Sequence, residues 1–73
     1  MEIASLKLVR AYDRDVGAAL VINGEVVCTV NYDEHGSSGE DVLKSVLEGL
    51  SDLTGLKVEE DEMDDEEYRD FTA

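Results

Sequence analysis

From Glu59 to Glu67 the chain reads Glu-Glu-Asp-Glu-Met-Asp-Asp-Glu-Glu, eight carboxylates in nine positions. Carboxylates at that density serve three kinds of chemistry: cation chelation, general acid–base work, and pairing with the arginines and lysines of a partner. A calcium loop needs D-x-[DN]-x-[DN]-G with a glutamate at position twelve. Asp13-x-Asp15 and Asp61-x-x-Asp64-Asp65 lack the glycine at the required offset, so no specific metal site is assigned. Asp33, Glu34, His35, Ser37, Ser38 and Cys28 are residue types used in nucleophilic catalysis, but they fall in a short loop and a strand, with no nucleophile, base and orienter arrangement. His35 reads as a solvent-exposed loop residue and Cys28 as a small core side chain. A 73-residue chain has little room to enclose a water-excluding pocket, so an enzyme is not expected. Nor does the sequence carry a glycine-rich phosphate loop, a CxxC pair or a basic patch, and no cofactor is expected.

Pairing with a basic partner remains. Nineteen acidic residues against six basic ones give a formal charge of −13, far beyond what solubility requires of so short a chain. Such a chain repels phosphate backbones and anionic lipids, which argues against direct nucleic-acid or membrane binding. Ten acids and five bases precede Glu59, a net of −5, and nine acids with Arg69 make residues 59 to 73 a net of −8. The acidity is concentrated at the C-terminal end without being confined to it. A passive, solubilising acidic tail is the plain alternative.

Elements must position these groups. Residues Ile3 to Tyr12 alternate loosely, with Leu6 and Leu8 on one side and Ser5 and Lys7 on the other, and read as a strand. Gly17 to Ile22 and Glu25 to Asn31 flank Asn23-Gly24, the dipeptide a two-residue hairpin turn prefers because both positions need positive φ. A regular hairpin pairs Ile22 with Glu25, Val21 with Val26, Leu20 with Val27 and Ala19 with Cys28. That pairing puts Ala19, Val21, Val26, Cys28 and Val30 on a core face and leaves Leu20, Ile22, Val27 and Thr29 on a second, largely apolar face, either covered from within the chain or available to a partner or a second copy. After the polar loop from Tyr32, Ser37-x-x-Glu40 and Ser38-x-x-Asp41 have capping-box spacing and start a helix. Val42, Leu43, Val46, Leu47, Leu50 and Leu53 fall within an arc of about 140° on it, and Gly55 follows as a C-terminal cap. On the opposite side Asp41, Glu48 and Asp52 form an acidic stripe. Leu56 to Val58 allows a short fourth strand.

The fold expected is α+β: a three- to four-stranded antiparallel sheet containing the Asn-Gly hairpin, with one amphipathic helix on one face. Residues 1–58 form this domain, and residues 59–73 follow as an acidic frayed helix or tail, since no strand tolerates that acid density comfortably. Met63, Tyr68 and Phe71 give the segment a partial apolar stripe. A lone cysteine, and the lack of a charged leader before a long apolar stretch, suggest a reducing cytoplasm.

In charge and architecture the chain resembles small acidic phage-encoded inhibitors of the DNA-mimic and anti-CRISPR type. The features carrying that resemblance are Ile22-Asn23-Gly24, one amphipathic helix, and the run from Glu59 to Tyr68. It implies a host defence or replication enzyme as target, inhibited when carboxylates fill its nucleic-acid site. Glu59, Glu60, Asp61, Glu62, Asp64, Asp65, Glu66 and Glu67 are then the main contacts, supported by Asp41, Glu48 and Asp52, with Tyr68 and Phe71 as anchors. Two competing readings are a homo-oligomeric assembly protein joined through the outer hairpin face, and an immunity-type inhibitor that blocks a basic enzyme by shape.

Overall fold

A computed structural model describes residues 2–13, 15–31 and 36–73. The strands are β1 (Leu6–Ala11), β2 (Ala18–Ile22), β3 (Glu25–Val30) and β4 (Val58–Met63). A 3₁₀ turn at Gly36–Ser38 leads into helix α1 (Gly39–Thr54), and helix α2 (Asp65–Thr72) follows β4. The sheet order is β3-β2-β1-β4. Neighbours β1–β2 and β2–β3 are antiparallel, but β1–β4 is parallel, so the sheet is mixed rather than antiparallel. The helix accounts for the difference. A parallel partner needs a crossover of a dozen or more residues, and the stretch containing α1 supplies one between β3 and β4.

Helices cover both faces, not one. On the first, Leu6, Leu8, Ala18 and Leu20 meet Leu43 and Leu47 of α1, with Ile3, Ile22, Val30, Leu50, Leu56 and Val58 packed around them. On the second, Val9, Ala11, Ala19 and Val21 meet Tyr68 of α2, flanked by Val16, Val26 and Met63. Strands β1 and β2 are therefore buried on both sides, which explains their nearly continuous apolar runs. Of the two alternatives for the second face of β2, cover comes from within the chain, because Leu20 and Ile22 pack under α1.

Asn23 (φ 55°) and Gly24 (φ 80°) link β2 to β3, with Ile22 opposite Glu25 and Val21 opposite Val26. Beyond that the expected register fails. A β-bulge at Leu20/Val21 absorbs Val27, so Leu20 faces Cys28 and Ala19 faces Thr29. Cys28 thus shares the α1 face with Leu20, yet on this edge strand it is exposed rather than in the core. The Asn23 side chain also ties down the N-terminal segment: its Oδ1 accepts from the backbone N–H of Ala4 (2.6 Å) and Ser5 (3.1 Å), and its Nδ2 donates to the Glu2 carbonyl (2.8 Å). At Gly17 (φ 137°) a Cβ would lie 2.4 Å from the Val30 carbonyl oxygen, so the chain passes this close to β3 only as glycine.

Helix α1 starts and ends where expected, with the Gly55 N–H donating to the Ser51 carbonyl, but its N-terminal cap bond and its buried face differ. Ser38 occupies the cap position without a side-chain cap hydrogen bond. Leu43 and Leu47 are buried and Leu50 half-buried, whereas Val42, Val46 and Leu53 are exposed, so the packed arc is narrower than the apolar one. The expected acidic tail is instead β4 and α2. Strand β4 tolerates its acids because it is an edge strand, where side chains on both faces reach water, while Val58 and Met63 pack at its two ends. No helix among the described residues is long and apolar enough to cross a membrane.

Candidate functional site

The parallel pairing of β4 with β1 sets Glu59 beside Lys7, Glu60 beside Leu8, Asp61 beside Val9 and Glu62 beside Arg10. Side chains alternate along a strand, so Glu60 and Glu62 share the α1 face with Val58, and Glu59 and Asp61 share the α2 face with Met63. A parallel strand rises about 3.3 Å per residue, so this edge carries one carboxylate per ~3.3 Å. One strand of B-DNA carries one phosphate per ~3.4 Å of axis.

Strand β1 provides the cations that let this edge form. Arg10 is half-buried, its Nη2 donates to Glu60 Oε1 at 3.2 Å, and its Nη1 lies 4.0 Å from Glu62 Oε1. Its Nε sits 2.7 Å from Glu40 Oε1 on α1, an ionic contact whose N–H is not aimed at the oxygen. Lys7 lies 3.9 Å from Asp61 on the other face. One guanidinium among three carboxylates leaves the cluster net negative. The sequence gives no sign of Arg10's role, because its partners are 30 to 52 positions away.

The remaining predicted residues divide by what they already do. Asp64 caps α2 by accepting from the Glu67 N–H (2.9 Å), and Asp65 accepts from the Asp13 N–H (3.1 Å), so both have structural work. The Asp64-x-x-Glu67 spacing is itself a helix-start signal. Glu66 and Glu67 lie exposed in the first turn of α2, where the helix dipole favours anions. Asp41, Glu48 and Asp52 are exposed on α1, and Glu48 lines an open groove with Leu8, Lys44, Leu47, Val58 and Glu60. The helix acids thus continue the β4 surface on one face, as Glu66 and Glu67 do on the other.

Tyr68 is not presented to a partner. It is 3% exposed, anchoring α2 to the sheet, with a hydroxyl that has no hydrogen-bond partner among the described residues. Burial raises its pKa above the ordinary value of 10. Phe71 by contrast is exposed and lines an open groove with Val9, Val21, Met63, Lys7, Glu59 and Asp61. An aromatic face beside two carboxylates suits a long basic side chain.

Asp33, Glu34 and His35 lie outside the described residues. Among those described, no group of three or more His, Cys, Asp or Glu side chains is arranged to hold a metal ion. Compared with known protein families, curated proteins and solved structures, the chain shows no match.

Proposed function

We propose that the β4 edge binds a basic protein surface and excludes nucleic acid from it, making the protein an inhibitor of a nucleic-acid-binding protein or nuclease complex. The observation that carries this reading is the row of four carboxylates held on β4, a paired edge strand, two on each face at a spacing of about 6.6 Å and only partly neutralised by Lys7 and Arg10. Carboxylates and phosphates make the same bidentate pairs with arginine, and fixing four on a strand lowers the ordering cost of binding. Glu59, Asp61 and Phe71 take a long basic side chain in their groove. Glu60, Glu62, Glu48, Asp41 and Asp52 extend the contact over α1, and Glu66 and Glu67 extend it over α2. The chain is not an enzyme on this reading, and a phage counter-defence role, including anti-CRISPR activity, fits a target of this kind.

The test is capture of partners from a bacterial lysate with elution along a salt gradient, followed by competition on the purified partner. A duplex or single-stranded oligonucleotide should displace the protein. The double variant Glu59→Lys with Glu66→Lys should bind at least tenfold more weakly, and added salt should weaken the wild-type complex steeply. Simultaneous binding of oligonucleotide and protein would rule out occupation of the nucleic-acid site.

A further inference from the structure

The opposite edge of the sheet has a β-bulge but no row of carboxylates like that of β4. Strand β3 ends the sheet and carries no charge from Val26 to Val30. Val27 is 55% exposed, and Cys28 and Thr29 are exposed beside it. A long, uncharged, β-branched edge is a template for another strand. Exposed apolar side chains of α1 lie on the same side. Lys44 lines grooves with Glu60 and with Glu62, which places that flank of the helix over β4. At about 100° per residue Val46 lies ~160° from Lys44, with buried Leu43 and Leu47 between them, so Val42, Val46 and Leu53 face the β3 side. Val42, Val46 and Leu53 therefore lie on the β3 flank on the α1 face, and Val27, one residue before Cys28, projects from the same edge on the α2 face.

We propose that this flank is a homodimer interface in which β3 pairs antiparallel with β3 of a second copy across a two-fold axis. Charge selects the occupant. Two chains of −13 can approach only where acids are sparse, and the strand order puts β3 farthest from β4. Pairing through β3 sends both acidic edges outward, to opposite ends of a continuous eight-stranded sheet. Antiparallel edge pairing is also self-complementary, as a closed two-fold contact must be. The α1 flanks supply the apolar area that a pair of six-residue strands lacks on its own.

Sedimentation of the full chain over a range of concentrations and salt tests this directly. A monomer–dimer equilibrium is expected, and added salt should tighten it by screening the repulsion between copies. That response is opposite in sign to the one expected for a basic partner, so dimerisation and partner binding succeed or fail separately. Val27→Lys, at an exposed edge position, should raise the dimer dissociation constant at least tenfold with the circular dichroism of the monomer unchanged. Thr29→Lys should do the same. A chain that stays monomeric at high concentration and high salt overturns the proposal. So does a dimer that survives both edge lysines but is lost with Leu53→Lys, which would place the contact on α1 alone.

Discussion

The two edges of the sheet, β3 and β4, are strands of equal length with opposite chemistry. Strand β4 reads Val-Glu-Glu-Asp-Glu-Met and β3 reads Glu-Val-Val-Cys-Thr-Val. Edge backbone groups invite further pairing, and inserted charge is the usual way to discourage it. Strand β4 is guarded throughout, at the cost of four carboxylates that β1 must partly neutralise through Lys7 and Arg10. Strand β3 is unguarded apart from its bulge. The same four carboxylates that keep a second strand away from β4 make it attractive to cations. Negative charge has been placed where it blocks one kind of association and favours another.

Breaking the support behind β4 should have the largest effect. Tyr68→Ala removes the one fully buried side chain of α2 and is expected to cost about 3–5 kcal/mol. A domain of this length has a total stability of about 4–11 kcal/mol, so the loss should show as a large drop in urea midpoint. Next comes Arg10→Ala, which leaves Glu40, Glu60 and Glu62 without their shared cation. A loss of about 1–3 kcal/mol is expected, read in the same titration and reduced by added salt.

Neutralising β4 with Glu59→Gln, Glu60→Gln, Asp61→Asn and Glu62→Gln together should abolish the contrast between the edges. Two unguarded edges permit head-to-tail pairing that does not close, so light scattering should rise with time where the wild-type chain gives a finite species. A stable, finite quadruple variant would show that the carboxylates are not what guards the edge.

The smallest effect concerns the Tyr68 hydroxyl. Its folded-state pKa lies above the unfolded value of about 10, so its contribution is intact below pH 10 and is lost as pH rises through the higher folded value. Tyr68→Phe should remove that alkaline step and change stability near neutrality by no more than ~1 kcal/mol, on the stabilising side, because the hydroxyl is buried with no partner among the described residues. Stability against pH, measured for both proteins from pH 8 to 12, checks this.

What was legible in the sequence is what local chemistry decides. The apolar runs of β1 and β2, the body of α1 and the Gly55 cap follow from nearby residues. Strand β4 does not, since its stability as a strand depends on Lys7 and Arg10 and on an edge position that only the assembled sheet defines. The bulge that moves Cys28 to the α1 face is a property of the pairing with β2. Tyr68 shows the same limit, because an aromatic beside glutamates reads equally well as a partner contact or as a core anchor. The acids themselves were all visible. Their division into Asp64 and Asp65, which hold α2, and Glu59 to Glu62, which form the edge, required the structure.

The central claim is that the β4 edge takes the place of nucleic acid on a basic partner. It is tested most directly by titrating the captured partner with a labelled oligonucleotide in the presence of wild-type protein or the Glu59→Lys, Glu66→Lys variant, at several salt concentrations. The account predicts competitive displacement by the wild type that weakens with salt, and at least tenfold weaker displacement by the variant. Equal displacement by both proteins, independent of salt, would contradict it.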